Sequence, residues 1–229
     1  MDIACTKHGL RLSQHGVVIS ELRTTPGPTH SVFDVLAAVV ATLAPHGRIG
    51  ILGFAGGGMM APLAALEMET AIDSVDLDRA SYDLFRRHCP EWSRRVNWYH
   101  ADAAGWLQRQ PSNFRLLLDD LSVPSAGDVV KPDISWNGLP ALIQQRLRPD
   151  GIAVFNLLPL ADGRWQPELP RLANRFKTAC VIHLDEYDNR ILIAARALPS
   201  ARALGRRLRA ALRTIRSRQA GRIQMRQLC

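Results

Sequence analysis

Residues 49–78 read IGILGFAGGGMMAPLAALEMETAIDSVDLD, and this stretch decides the fold. A short apolar run, Ile49-Gly50-Ile51-Leu52, enters a glycine-rich turn, Gly53-Phe54-Ala55-Gly56-Gly57-Gly58. Residues 59–69 are compatible with a helix, and residues 71–75 with a second short strand that ends at Asp76. Strand, glycine turn, helix and strand closed by an acid form the opening of a nucleoside-binding α/β unit. Glycine lets the backbone turn tightly and approach a ligand closely, the alternative being a tight turn that packs strand against helix with no ligand. Asp76 can accept hydrogen bonds from two ribose hydroxyls; Asp78 is a second candidate, or caps the helix that follows. The GxGxxG pattern is absent, and the turn holds no Lys or Arg. Neither GKS nor GKT occurs, which excludes a Walker phosphate loop.

Outward from this unit, strand-like and helical runs alternate. Toward the N-terminus, residues 10–12 and 16–22 pair as a hairpin, and residues 24–28 break regular structure. Thr29 or Ser31 then caps a helix over residues 30–43, with Val32, Phe33, Leu36, Val39, Val40 and Leu43 on its apolar face. Toward the C-terminus, strands are expected over 96–100, 114–118 and 152–157. Helices are expected over 79–88, 103–109, 138–146 and 167–176. Two strands, 180–184 and 190–195, flank the turn 186–189 as an antiparallel hairpin. Apolar strands between amphipathic helices predict an α/β fold: a doubly wound, mostly parallel seven-stranded sheet ending in that hairpin. Three parts follow: a short N-terminal β-hairpin or extension (1–27), a main domain (28–198) and a basic C-terminal helix or tail (199–229).

The 229 residues carry a net charge of +8, distributed unevenly. Residues 196–229 contain ten arginines and no acid, leaving 19 basic against 21 acidic residues before them. Residues 200–218 place Leu204, Leu208, Leu212 and Ile215 on one side and arginines elsewhere, a basic amphipathic helix. It suits an anionic partner such as nucleic acid, an anionic surface or a partner subunit, the alternative being a poorly ordered solvated end; a homodimer is a separate expectation. Four cysteines without paired spacing argue against structural zinc and for a reducing, cytoplasmic setting. No metal site is expected. No apolar run reaches membrane-spanning length, and the N-terminus lacks a signal-peptide pattern.

Acids also follow the third and fourth strands. Asp102, followed by Ala103, can accept a hydrogen bond from an adenine amino group, or cap the helix carrying Trp106. Asp119 and Asp120 follow the fourth strand, where the carboxyl ends of parallel strands line a ligand crevice. Adjacent side chains point in different directions, so one of the two is expected to react, holding an ammonium group or taking its proton; the alternative is that they cap or support the loop. Tyr82, Trp136 and Tyr187 are aromatic candidates near the crevice, or packing residues.

Together, ILGFAGGG, SVDLD, WYHADAAGWL and FRLLLDDLS resemble the class I S-adenosylmethionine-dependent methyltransferase fold, in its spermidine synthase-like branch. The resemblance spans roughly residues 28–195 and implies a Rossmann-like domain. It implies that Gly53, Ala55, Gly56 and Gly57 carry the methionine part of the cofactor, Asp76 the ribose, and Asp102 with Ala103 the adenine. It makes Asp119 the amine base of aminopropyl transfer and sets His30 in a substrate-contacting element before the first-strand helix. The pattern departs from that branch where Met59 and Met60 replace an acid in the turn and where the fourth-strand loop lacks its second acid. The expected cofactor is S-adenosyl-L-methionine or decarboxylated S-adenosylmethionine, and the acceptor of the methyl or aminopropyl group a small molecule, an amine among the candidates. The rival expectations are a nucleic-acid methyltransferase using the arginine-rich tail, and a non-catalytic nucleoside-binding scaffold.

Overall fold

The computed structural model describes residues 2–14, 16–125, 128–159, 165 and 168–229. In chain order the elements are β1 (Asp2–Thr6), β2 (Gly9–Gln14), β3 (Val17–Arg23), α1 (Val32–Leu43), β4 (Ile49–Leu52), α2 (Met60–Ala65), β5 (Ile72–Asp76), α3 (Arg79–His88), α4 (Pro90–Ser93), β6 (Val96–His100), α5 (Ala103–Gln108) and β7 (Phe114–Asp119). There follow β8 (Val123–Ser125), β9 (Asp128–Val130), α6 (Asp133–Asn137), α7 (Leu139–Arg146), β10 (Leu147–Leu157), α8 (Glu168–Ala173), β11 (Thr178–Leu184), β12 (Tyr187–Ala195), α9 (Ala201–Thr214), a 3₁₀ turn (Arg218–Gly221) and β13 (Ile223–Gln227). The expected turn position 15 and helix position 167 lie outside the described residues.

One sheet dominates, with strand order β13-β11-β12-β10-β7-β4-β5-β6. The run from β10 to β6 is parallel, and β12, β11 and β13 complete it antiparallel. Successive residues point to opposite faces, so Leu116 and Leu118 join one apolar cluster and Leu117 the other. The first cluster takes in α1, α2 and α9; the second takes in α5, α7 and α8. This is a Rossmann-like class I methyltransferase sheet with helices on both faces.

Three features depart from expectation. The sheet has eight strands rather than seven, because β13 adds to its edge beside β11. The N-terminal hairpin is a three-stranded sheet, β1-β2-β3. The loop after β7 contains a short hairpin, β8 with β9. β13 reads IQMRQ, too polar to announce a strand, and edge strands tolerate charge because one side faces water.

The arginine-rich segment wraps the body. Leu204, Leu208 and Leu212 are fully buried, with α9 packed on α1. Burial of each such leucine contributes about 1.5–3 kcal/mol. α9 ends in a Schellman motif: the Ser217 amide donates to the Leu212 carbonyl at 2.9 Å and the Arg216 amide to the Arg213 carbonyl at 2.9 Å. Arg216 takes the left-handed position with φ 58°, where glycine is usual.

Candidate active site

The glycine turn leaves β4 and is braced by the acid at the end of β5. Asp76 Oδ2 accepts from the amides of Phe54 at 2.6 Å and Ala55 at 2.7 Å, and Oδ1 from the amide of Asp78 at 2.9 Å. A carboxylate offers about four acceptor positions. Three are spent on backbone, so in this arrangement Asp76 has room for one ribose hydroxyl rather than the expected two. The charge also holds Ala55 in the left-handed region, φ 44°. Gly53 has φ 90° and sits so close to the Asp120 carbonyl that a Cβ would lie 2.7 Å from its oxygen. Both the conformation and the close approach demand glycine there.

A cavity of about 530 Å³ opens at the carboxyl ends of β4, β5, β7 and β10. Gly53, Ala55, Asp76, Asp78 and Asp120 form its floor. Arg11, Ile19 and Glu21 of the N-terminal sheet face them, with Phe33 of α1 alongside. Tyr187, Asn189 and Asn156 close the side. Four carboxylates therefore meet there, and Arg11 is the one cation among the described lining residues, bonded to Glu21 at 2.9 Å.

The two neighbouring aspartates separate. Asp119 is fully buried and paired with Lys131 at 2.8 Å, the lysine being equally buried. Its Oδ1 also accepts from the Leu121 amide at 3.0 Å, and Lys131 reaches the Asp119 carbonyl at 3.1 Å. Asp119 does not line the cavity. Its expected role as base is corrected to that of an anchor, tying the segment after β9 to the end of β7. Asp120 faces the cavity and accepts from Asn156 Nδ2 at 2.7 Å; Asn156 in turn accepts from Asn189 at 3.0 Å. Burial pushes the Asp120 carboxyl up to about 6, against the pull of the Asn156 hydrogen bond and of Lys131, with Asp119 and Asp76 adding to the rise.

The remaining candidates scatter. Gly56 lies under the N-terminal sheet, where a Cβ would come within 2.5 Å of Leu22 and 2.6 Å of Leu12. Gly57, with φ 72°, packs on Phe54 and Phe85. Neither glycine lines the cavity, so packing rather than ligand approach accounts for them. Asp78 lines it, and also caps α3 by accepting from the Ser81 amide at 3.1 Å. Asp102 caps α5 through the Gly105 amide at 2.7 Å, and it and Ala103 lie outside the lining. Trp136 is buried in the second apolar cluster, away from the cavity. Tyr82 stacks on Trp98 at 4.4 Å and packs against the first cluster. His30 stands behind the wall with φ 63°, its carbonyl accepting from Gln219 at 2.9 Å and from the Tyr187 hydroxyl at 3.5 Å.

Asn156, Asn189, Arg11 and Glu21 were not expected from sequence. Asn156 had a signal: it is the lone polar residue in the apolar run Ala153-Val154-Phe155-Asn156-Leu157. A polar side chain on a buried strand needs a partner, and here the partner is Asp120.

The fold is Rossmann-like and resembles that of S-adenosylmethionine-dependent enzymes. Among solved structures, spermidine synthase in complex with the transition state analogue AdoDATO matches with TM-score 0.66 at 16% identity, over 84% of this chain and 68% of that one. Spermidine synthase from Thermotoga maritima matches with TM-score 0.63 at 14% identity, over 84% and 67%. Human methyltransferase-like protein 13 in complex with SAH matches with TM-score 0.61 at 17% identity, over 82% and 91%. At these identities the likeness is one of fold. No protein-family model and no curated protein matches the sequence.

Proposed function

We propose that this chain is a transferase that binds S-adenosylmethionine, or its decarboxylated form, in the acidic cavity and passes its methyl or aminopropyl group to a small amine, a polyamine being the model acceptor. The observation that carries this reading is the convergence of Glu21, Asp76, Asp78 and Asp120 on one cavity, with Arg11 the one cation among the described lining residues. Such a wall favours positively charged ligands, and both a sulfonium nucleoside and an ammonium acceptor are cations. The volume is in the range of small-molecule sites.

When bound, the nucleoside supplies an alkyl carbon activated by a sulfonium leaving group. The chain's own residues do the rest. Asp76 holds the glycine turn in shape and offers its remaining acceptor position to the ribose. Asp120 draws the acceptor ammonium and takes its proton, which frees the nitrogen lone pair. A carboxyl poised at about 6 is suited to that exchange near neutral pH. The Asn189–Asn156 chain fixes which way Asp120 points. The N-terminal sheet covers the cavity and limits the acceptor to small molecules.

Titration calorimetry with both nucleosides tests the reading, in the native chain and in Asp76→Ala. Binding of at least one nucleoside, weakened about tenfold or more in the variant, is expected from the loss of charged hydrogen bonds. Heat from neither nucleoside in the native chain refutes the proposal. Binding without turnover on any amine would leave a nucleoside-binding scaffold instead.

A further inference from the structure

A second cavity, of about 520 Å³, lies at the opposite end of the strands, beside the starts of β7 and β11. Arg115 near the start of β7, Lys177 before β11, Arg196 after β12 and Arg207 of α9 converge on it. The one acid among its described lining residues, Asp150, is already bridged to Arg148 at 3.0 Å and Arg115 at 3.4 Å. Two of the four cations have a structural use. α1 ends here with no basic residue in its own last turn, and the last carbonyls of a helix need donors. Arg115 donates to the Leu43 carbonyl at 3.3 Å and Arg207 to that of Thr42 at 2.9 Å. Capping does not account for Lys177 and Arg196, which are exposed and form no ion pair among the described residues.

α9 leads away from this cavity and carries more charge. Arg202, Arg206, Arg209 and Arg213 follow one another at alternating steps of four and three residues. At 3.6 residues per turn they fall within an arc of about 60°, on a helix about 21 Å long. Neighbours at such steps stand about 5–6 Å apart. Arg216 adds a charge just beyond, in the left-handed position that glycine would fill with less strain. Residues 196–229 hold no acid to neutralise them.

We propose that the basic cavity and the arginine face of α9 together form a docking surface for a nucleic-acid backbone, separate from the acidic cavity. Three observations favour this partner. Cations repeat along a line, as phosphates do, each strand carrying one charge per about 3.4 Å of axis. The apolar face of α9 is spent on α1, with Leu204, Leu208 and Leu212 at 0% exposure, so the helix has nothing to insert into lipid. No large hydrophobic side chain is exposed among residues 196–229. The two cavities are separated by roughly the length of β7, about 20 Å, so binding at one is assayed apart from binding at the other.

The test is fluorescence anisotropy of the full chain with labelled single-stranded RNA, duplex DNA and, as a control, phosphatidylserine vesicles, at 50 and 200 mM salt. Two variants spare the helix-capping arginines: Lys177→Gln with Arg196→Gln, and Arg202→Gln with Arg206→Gln and Arg213→Gln. The native chain should bind at least one nucleic acid, with affinity falling on the order of 10²-fold between the two salts. Each variant should bind about tenfold more weakly at low salt, with the salt slope reduced by about two to three. Nucleoside binding at the acidic cavity should be unchanged in both, which keeps this test distinct from that of the proposed function. Absence of nucleic-acid binding at 50 mM, affinity untouched by both variants, or binding to vesicles alone would each overturn the proposal.

Discussion

Two cavities of nearly equal volume, about 530 and 520 Å³, occupy opposite ends of the same strands and carry opposite charge. At the carboxyl ends, four acids face Arg11; at the amino ends, four cations face Asp150. The difference teaches that the sheet sets where hollows form, while the residues flanking each strand set what the hollows attract. The acidic one takes its floor from the carboxyl ends of strands and the turns that follow them, Gly53, Asp76 and Asp120. The basic one draws on the C-terminal segment, through Arg196 and Arg207. The acidic end also holds Asp120, whose carboxyl burial pushes up to about 6, and the sharpest tests begin there.

Asp120→Asn should lower kcat by about 10²–10⁴-fold, the usual worth of a positioned base, with nucleoside affinity in calorimetry nearly unchanged. In the native chain, activity should climb as pH rises through about 6, where the Asp120 carboxyl ionises. The stability sign runs the other way. A carboxyl raised by burial stabilises the fold while protonated, fully below its unfolded value near 4, and that contribution is lost as pH rises through about 6. An activity profile flat across pH 5–7 would remove Asp120 from the mechanism and leave the acidic cavity a binding site only.

Lys131→Met comes next. It strands the Asp119 carboxylate without a counterion, and breaking such a pair costs about 3–5 kcal/mol, readable by urea denaturation. Pairing it with Asp119→Asn should recover much of the loss, since the charge then vanishes from both sides. If the single variant were as stable as the native chain, Asp119 would have to be reached by water, and its exclusion from the site would fail. Leu208→Ala should cost about 2–5 kcal/mol by leaving a cavity between α9 and α1. It should also loosen Arg207 from the Thr42 carbonyl and weaken the basic cavity while sparing the acidic one. Equal damage to both would show that α1 couples the two ends.

Much of this was legible in the sequence. The strand–turn–helix–strand unit over residues 49–78, and the paired periodicities after it, depend on local chemistry: apolar alternation, glycine where φ is positive, acids after strands. The positions of Asp76 and Asp120 beside one crevice follow from those elements alone, because parallel strands put their carboxyl ends together. What sequence could not distinguish was Asp119 from Asp120. Both follow the same strand, and only the approach of Lys131 from beyond β9 decides which is buried and which stays at the cavity wall. Gly56 and Gly57 read as ligand contacts, yet the leucines of β2 and β3 and the ring of Phe85 occupy the space beside them.

The C-terminal segment marks the same boundary. Its helix and leucine face are periodic and could be read directly. The cover those leucines provide could not, although α1 carried a hint: it is apolar nearly all round, as a helix covered on both sides must be. The sequence by itself determined the α/β class, the glycine turn and the acids around it, since each rests on residues near one another in the chain. The tertiary structure alone decided the eighth strand, the burial of Asp119 and the gathering of Arg115, Lys177, Arg196 and Arg207, since these depend on contacts between segments far apart in sequence, which no local pattern encodes.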